Sequence, residues 1–273
     1  MIPIVECEGA PRDLGRDQGA VCCTALAARF ARASRLARWR NWLGLVDPEA
    51  RELDCSLWRS FPHQAESLRG LGAAAGVPAA WLVSELTRLR ADAVPAAALE
   101  RPSGLLGRGL DGAWILRRSR PQGLFASVEV ARHGVAAPLV GVNERGLAAA
   151  VLPGRSDRRV APAWLLVQDC LQRFESLEPA LDWCRVRPGG SGGGLLLMDA
   201  SGAAAAVSFE VERRVLRPRA GRLLQPLDAG SEALESSLAA CAGDVAALAK
   251  ALGGAAIDVA SRTLCVDGER FSL

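Results

Sequence analysis

The chain has 273 residues, of which half are hydrophobic, and it carries 33 Lys and Arg against 30 Asp and Glu. A chain of this length and composition can bury a full core, as one large domain or two small ones. Because charges of both signs are interspersed, the net charge of +3 predicts neither a nucleic-acid partner nor an acidic tail.

The cysteines and the start of the chain exclude further classes of protein. The eight cysteines lack the C-x-x-C spacing of zinc ligands, so we expect no metal site. The glycine-rich stretch at 189–194 lacks the Lys-Ser/Thr of a phosphate loop, and we expect no cofactor. The first residues do not show the basic start and apolar core of a signal peptide, and no run reaches the roughly 18 apolar residues of a membrane span. We therefore expect a cytoplasmic protein without a membrane partner, whose thiols are mostly free and buried.

The first third of the chain has helical periodicity. Apolar residues such as Leu26 and Phe30 recur at helical spacing through residues 18–42. Pro48 and Pro78 suit the first turns of further helices. The tryptophans fall mostly on apolar helix faces and are expected in the core. There are seven of them: Trp39, Trp42, Trp58, Trp81, Trp114, Trp164 and Trp183.

The remainder of the chain mixes strands and helices. Short apolar runs separated by Gly, Pro and Asn predict strands from Gly104 to about Pro153. A helical pattern follows over residues 162–186, strands resume at Leu195, and a helical stretch over 231–252 precedes two last strands. This order favours an α+β fold with two antiparallel sheets covered by helices over a doubly wound parallel sheet.

Five segments carry a family resemblance. They read G-A-P-R-D-L-G-R-D-Q-G at 9–19, L-G-R-G-L-D at 106–111, G-V-N-E-R-G-L at 141–147, L-M-D-A-S-G at 197–202 and D-V-A-S-R-T-L at 258–264. In this order they resemble segments of the acyl-coenzyme A:isopenicillin N acyltransferase family of N-terminal-nucleophile (Ntn) hydrolases. The resemblance implies a four-layer αββα sandwich of two antiparallel sheets flanked by helices.

The resemblance also implies the domain organisation. It covers nearly the whole chain, so residues 1–273 are expected to form a single domain. Residues 1–92, mainly helical, correspond to the pro-region of the family. Residues 93–273 correspond to the αββα core.

Members of this family cut their own chain to expose a cysteine, which then hydrolyses or transfers the acyl groups of amides. Such a cysteine attacks a carbonyl while its own α-amino group carries protons and nearby amides bind the oxyanion. Counting back 18 residues from Asp111, which matches the family's aspartate, places the nucleophile at Ala93. No Cys, Ser or Thr lies between Arg88 and Pro102, and alanine has no nucleophilic atom.

Other positions of the family's site are also changed. Gly109 stands where the family has an asparagine, and the asparagine expected to help bind the oxyanion falls near Leu152 and Pro153. Proline has neither an amide side chain nor a backbone N–H. A further asparagine of the family is replaced within the glycines at 192–194. Several losses in one site predict a pseudoenzyme rather than an active member.

Three residues still match the family's pattern, namely Arg108, Asp111 and Asn143. Together with Asp92 and Trp114 they are predicted to line a pocket for a peptide or an acylated small molecule. The three matched residues also have structural interpretations, in which Asp111 caps a turn, Arg108 forms an ion pair and Asn143 lies in a hairpin turn.

Other nucleophiles and bases are weaker candidates. Cys22 and Cys23 lie inside a helical pattern, Ser84 and Thr87 lie in the predicted helix over 79–90, and Ser103 follows a proline that disfavours cleavage. The two histidines, His63 and His133, are the only bases for a Ser-His or Cys-His site, and their positions favour exposed or turn roles.

Three hypotheses about function remain open. The first is a non-processing protein that binds a peptide or acylated small molecule, in a biosynthetic pathway. The second is an active amide hydrolase or acyltransferase with an atypical nucleophile. The third is a purely structural subunit that docks onto an enzyme, as its partner protein in the pathway, through its helical first third.

Overall fold

The computed structural model of the protein describes residues 2–88, 98–100, 105–107, 114–152, 161–162, 165–187, 193–209, 214–217, 222–224, 244–252, 254–266 and 268–273. Its helices are α1 (Pro11–Ala31), α2 (Arg35–Trp42), α3 (Pro48–Ser60), α4 (Pro62–Ala75), α5 (Ala79–Arg88), α6 (Leu166–Arg173), α7 (Leu177–Val186) and α8 (Val245–Leu252). The predicted helix start at Pro48 is confirmed, because α3 begins there. Proline suits the first turn of a helix, where a backbone N–H is not needed. Of the helix predicted over 231–252, the described part begins at Asp244 and contains α8.

The strands form two sheets. They are β1 (Ile4–Gly9), β2 (Ala98–Glu100), β3 (Leu105–Gly107), β4 (Trp114–Pro121), β5 (Ser127–Arg132), β6 (Pro138–Asn143), β7 (Ala148–Leu152), β8 (Gly194–Met198), β9 (Ala204–Ser208), β10 (Arg214–Leu216), β11 (Arg222–Leu224), β12 (Ala255–Asp258), β13 (Thr263–Val266) and β14 (Glu269–Phe271). Sheet A has eight strands in the order β1-β4-β5-β6-β7-β8-β9-β10. Sheet B has six strands in the order β11-β2-β3-β12-β13-β14.

The two sheets pack face to face, and helices cover their outer sides. Strands β5, β6 and β7 of sheet A contact β13, β12 and β3 of sheet B. Helix α6 covers β6 and β7, α7 contacts β9, and α8 covers β12 and β13. The layers therefore run helix, sheet, sheet, helix. This is the α+β, four-layer αββα arrangement predicted from the sequence.

One strand departs from the predicted antiparallel pairing. β1 lies at the edge of sheet A and runs parallel to β4, with Ile4 opposite Leu116. A parallel neighbour needs a long crossover connection. The helices α1 to α5 separate β1 from β4 in the chain, so the connection is available.

Glycines allow α1 and α4 to pack closely. A Cβ atom on Gly15 would lie 1.8 Å from the Ser67 carbonyl oxygen. A Cβ atom on Gly70 would lie 2.0 Å from the Arg12 carbonyl oxygen. The Ser67 hydroxyl also donates a hydrogen bond of 2.7 Å to the Pro11 carbonyl. The spaced glycines at the start of α1 therefore serve the contact between two helices.

The helix predicted over 18–42 is interrupted, and its second half lies at the surface. α1 ends at Ala31, and the side chain of Ser34 caps the start of α2. No residue of α2 is buried. The expectation of a core position was wrong for Trp39 and Trp42, which are 59% and 61% exposed. The helical spacing was correct, but it does not tell whether anything packs on the apolar side.

None of the helices in the described ranges combines the length and the apolar character that crossing a membrane needs.

Candidate functional site

Two described strands of sheet B lie between predicted pocket residues in the sequence, since β2 follows Asp92 and β3 precedes Arg108. Leu99 of β2 pairs with Leu105 of β3 in antiparallel register. The chain therefore enters β2 and leaves β3 at the same end of this hairpin. Five residues of the predicted site lie outside the described residues, and their roles stay predictions: Asp92, Ala93, Ser103, Arg108 and Asp111.

The two faces of sheet A can be assigned from Gly141 of β6. A Cβ atom on Gly141 would lie 2.8 Å from Leu171 of α6 and 3.1 Å from the side chain of Glu129. Glu129 and its cross-strand partner Arg117 therefore point towards the helices. Because side chains alternate along a strand, Trp114 points the other way, towards sheet B.

Trp114 is the first described residue after the chain has left sheet B for sheet A. It lies opposite Arg132, whose guanidinium carbon is 5.1 Å from the centroid of the tryptophan ring. The indole is 3% exposed, so it packs between the layers rather than at the surface. A position between the two sheets suits a residue of an inter-sheet cleft. Its role in a ligand pocket stays a prediction.

His133 adds a titratable group beside Trp114. It follows Arg132 at the end of β5, and burial lowers the pKa of its imidazole. The backbone of Trp114 interacts with the imidazole and raises its pKa, which offsets part of the effect of burial. The structure thus brings an aromatic ring, a guanidinium and an imidazole together. Sequence reasoning placed His133 in a turn and missed this association, which depends on the register of β4 and β5.

Asn143 has all its hydrogen-bonding positions occupied within the protein. Its Nδ2 donates to the carbonyls of Leu171 and Phe174, each at 2.8 Å. Its Oδ1 accepts from the backbone N–H of Arg145 at 3.0 Å and of Leu147 at 2.8 Å. The side chain thus ties the β6–β7 turn to the end of α6. A ligand would have to displace one of these bonds to contact it, and its pocket role stays a prediction.

The hydroxyls nearest in sequence to Ala93 are committed to the backbone of α5. Ser84 Oγ donates to the Ala80 carbonyl at 3.1 Å. Thr87 Oγ1 donates to the Ser84 carbonyl at 2.8 Å. Both are buried, and within the described residues neither is bonded to a base. These are ordinary interactions of helical hydroxyls.

Two of the described thiols, Cys7 and Cys22, are buried in surroundings that disfavour the thiolate. Burial raises the pKa of Cys22 and of Cys7 to about 12, although the nearby Arg117 guanidinium lowers both values in part. Cys23 is half-buried inside α1, with its sulfur 3.8 Å from Thr24 Oγ1. An Ntn nucleophile lies at the start of a chain and at the end of a strand. Cys23 lies within a helix and does not have this position.

A buried charged network joins α1 to sheet A, and sequence reasoning missed it. Arg117 Nε donates to Glu129 Oε2 at 3.1 Å, and its Nη1 donates to Gln18 Oε1 at 2.7 Å and to the Ala136 carbonyl at 2.5 Å. Ser127 Oγ donates to Glu129 Oε1 at 2.6 Å. The signal was Glu129 between two valines, in a strand whose six residues are all buried or half-buried. The charges satisfy each other, so we interpret the network as structural.

A second buried carboxylate connects α4, α6 and α7. Asp169 Oδ1 lies 2.9 Å from His63 Nε2, and its Oδ2 accepts a hydrogen bond of 3.2 Å from Trp183 Nε1. The guanidinium nitrogens of Arg173 and Arg187 approach the carboxylate at 3.9 and 4.0 Å. The expected exposed or turn role of His63 was wrong, because α6 brings a buried carboxylate to it. Among the described hydrogen bonds, none joins His63 to a hydroxyl or a thiol.

In the described ranges, no three His, Cys, Asp or Glu side chains come together in a way that could hold a metal ion. Among the described residues, neither histidine is hydrogen-bonded to a hydroxyl or a thiol, so no Ser-His or Cys-His pair is formed there.

Comparison with known proteins gives limited similarity. No protein-family model and no curated protein matches the chain. Among solved structures, penicillin V acylase from Agrobacterium tumefaciens aligns at 20% identity with a TM-score of 0.33, over 55% of this chain and 58% of its own. A mutant conjugated bile acid hydrolase from Clostridium perfringens aligns at 13% identity with a TM-score of 0.34, over 54% and 58%. The chain thus spans a little over half of each structure, and at these TM-scores the alignments decide neither fold nor function.

Proposed function

We propose that this protein is an Ntn-hydrolase-fold pseudoenzyme that does not cut its own chain and that binds a peptide or an acylated small molecule. The observation that carries the proposal is the alanine at position 93, in a stretch between Arg88 and Pro102 that has no Cys, Ser or Thr. Without a thiol or hydroxyl in this stretch, the position that matches the family's nucleophile has no attacking atom for self-cleavage or acyl transfer.

The described alternatives support the same proposal. The hydroxyl groups of Ser84 and Thr87 donate hydrogen bonds to backbone carbonyls of α5. Burial holds the pKa of Cys7 and Cys22 near 12, so these thiols are protonated at neutral pH. A protonated thiol is a poor nucleophile. An active amide hydrolase would have to use a residue that these interactions leave free.

The group around Trp114 favours an acylated ligand. The indole of Trp114 is 3% exposed in the free protein, so an acyl chain would contact its apolar face only after the surrounding side chains move aside. The adjacent Arg132 guanidinium is suited to a carboxylate or an amide carbonyl. N-acyl amino acids and acylated peptides combine these features, and we propose that such a compound is an intermediate or product of a biosynthetic pathway in which the protein takes part.

A binding experiment tests the proposal. We expect a panel of N-acyl amino acids and N-acylated dipeptides, measured by isothermal titration calorimetry, to contain binders. Trp114→Phe should weaken their binding, whereas Trp183→Phe, a half-buried tryptophan of α7, should not. If no member of the panel binds, or if both variants bind equally, the proposed pocket is wrong.

An acyl-type electrophilic probe separates binding from catalysis. We expect it to leave the chain unlabelled under native conditions at neutral pH. Stoichiometric labelling of one serine, threonine or cysteine, with release of product from an amide substrate, would instead support the alternative of an active amide hydrolase or acyltransferase with an atypical nucleophile.

A further inference from the structure

An exposed apolar surface is formed by α2 and the loop that follows it. Its five members, which we call the α2 surface, are exposed by the following fractions: Leu36 65%, Trp39 59%, Trp42 61%, Leu43 54% and Leu45 46%. Single exposed apolar residues are common on proteins, but a contiguous group that includes two indoles marks an interaction site. Tryptophan is also the residue type most enriched among interface hot spots.

The segment that carries the α2 surface is rich in arginine. No Asp or Glu lies between Asp17 and Asp47, and this interval contains five arginines, Arg29, Arg32, Arg35, Arg38 and Arg40. Arg29 pairs with Glu85 of α5. The other four have no ion-pair partner in the described part of the chain. Such a concentration of one sign attracts an acidic partner and repels a basic one.

Local interactions fix the shape of the α2 surface before any partner binds. Ser34 Oγ accepts a hydrogen bond from the Ala37 N–H and caps the start of α2. The ring of Trp42 meets Phe30 edge to face at a centroid distance of 6.3 Å, and Phe30 is buried against Trp81. A surface that is already ordered loses little conformational entropy on binding.

A cleft opens directly beside the α2 surface. It has a volume of about 220 Å³ and is lined by Gly44 and Val46 of the loop and by residues of α3, α4 and α5. Two arginines, Arg51 and Arg69, and the carboxylate of Asp54 line it as well. Pockets for whole small-molecule ligands usually measure about 300–1,000 Å³. This cleft is smaller and suits a single anchoring side chain.

We propose that the α2 surface and this cleft form the docking site for an acidic amphipathic peptide segment of a partner protein. The partner's apolar residues would cover the indoles, one of its large side chains would enter the cleft, and its carboxylates would face the unpaired arginines. Helical segments that dock in this way present apolar anchors at helical spacing. The cleft favours a protein over a lipid bilayer, which offers no side chain to fill a concave site.

The test uses the full chain and a display library of random 16-residue peptides. We expect selection on the immobilised protein to enrich peptides rich in Asp and Glu with regularly spaced aromatic or aliphatic residues. A synthetic enriched peptide, measured by fluorescence anisotropy, should bind the Arg38→Glu/Trp39→Ala variant at least about tenfold more weakly. Its affinity should also fall as salt is raised.

A matched control removes the same kinds of group elsewhere. Arg185→Glu/Val186→Ala changes an exposed arginine and an adjacent valine that is 75% exposed, at the end of α7, and should leave peptide binding unchanged. Both double variants should keep the unfolding temperature of the wild type, because all four side chains are largely at the surface. The proposal depends on neither the ligand pocket nor the missing nucleophile.

Three outcomes would overturn the proposal. Enriched peptides could bind the α2 variant as tightly as the wild type. Vesicles of phosphatidylcholine and phosphatidylserine could bind the wild type through the α2 surface while no peptide does, which would make it a membrane contact. Analytical ultracentrifugation could show a dimer that the α2 variant abolishes, which would make a second copy of the chain the occupant.

Discussion

Replacing Glu129 by Gln should destabilise the protein strongly. The change keeps the shape of the side chain but removes the negative charge that Arg117 contacts. In the wild type the Arg117 side chain is 5% exposed and the Glu129 side chain is fully buried. Water therefore cannot solvate the charged guanidinium of Arg117 once residue 129 is neutral. The carbonyl of Ala136 and the Gln18 amide would remain as acceptors, but neither carries a charge.

The expected magnitude follows from this burial. Breaking a buried ion pair by removing one partner costs about 3–5 kcal/mol in other proteins. Because two neutral acceptors stay with Arg117, we expect the lower end, about 3 kcal/mol. This is a large fraction of the stability of a typical domain, which is about 5–15 kcal/mol. Urea denaturation followed by far-ultraviolet circular dichroism gives the free energy of unfolding of both proteins.

Arg118→Gln provides the matched control. Arg118 is the next residue of β4 and pairs with Glu6 at 2.9 Å, but the two side chains are 35% and 53% exposed. Exposed pairs contribute at most about 1 kcal/mol, so this variant should unfold close to the wild type. Equal and small effects of the two substitutions would refute the conclusion that burial, and not pairing alone, makes the Arg117 network important.

Three further predictions concern the turn, the thiols and the nucleophile position. Asn143→Ala leaves two carbonyls and two N–H groups without their partner, so the free energy of unfolding measured in urea should fall by about 3 kcal/mol. In the control Asn41→Ala, a half-buried amide loses one hydrogen bond, and the loss should be under about 1 kcal/mol. The pKa values of Cys7 and Cys22 are raised to about 12 in the folded protein, so as the pH rises these thiols lose their protons first in the unfolded state. The free energy of unfolding should therefore fall between pH 9 and 12. An equally steep fall in a Cys7→Val/Cys22→Val variant would contradict this. Ala93→Cys should remain a single chain in mass spectrometry, because the oxyanion groups are also changed; cleavage before residue 93 would show that only the nucleophile was missing.

The layered fold was predictable because its signals are local. Short apolar runs bounded by turn residues predicted strands such as β6, and Pro48 marked the start of α3. The turn at Asn143 also followed from a short segment, G-x-N-x-x-G-L, whose asparagine bonds to nearby backbone groups. Each of these features is determined by residues close together in the sequence.

The remaining features depend on contacts between distant parts of the chain. The pairing of Arg117 with Glu129 and of Trp114 with Arg132 requires the register of β4 and β5, which the sequence does not state. The contact of His63 with Asp169 requires α4 and α6 to be neighbours in space. The exposure of Trp39 depends on the absence of a layer over α2 in the described structure, which helical periodicity does not reveal.

The intact mass of the purified protein tests the central claim most directly, because self-cleavage needs no substrate and leaves a permanent change. If the protein is a non-processing member of this fold, a single species near 28.7 kDa is expected. Two fragments whose masses sum to that value, with a new N terminus near Ala93 or Ser103, would contradict the account and identify the nucleophile of an active enzyme.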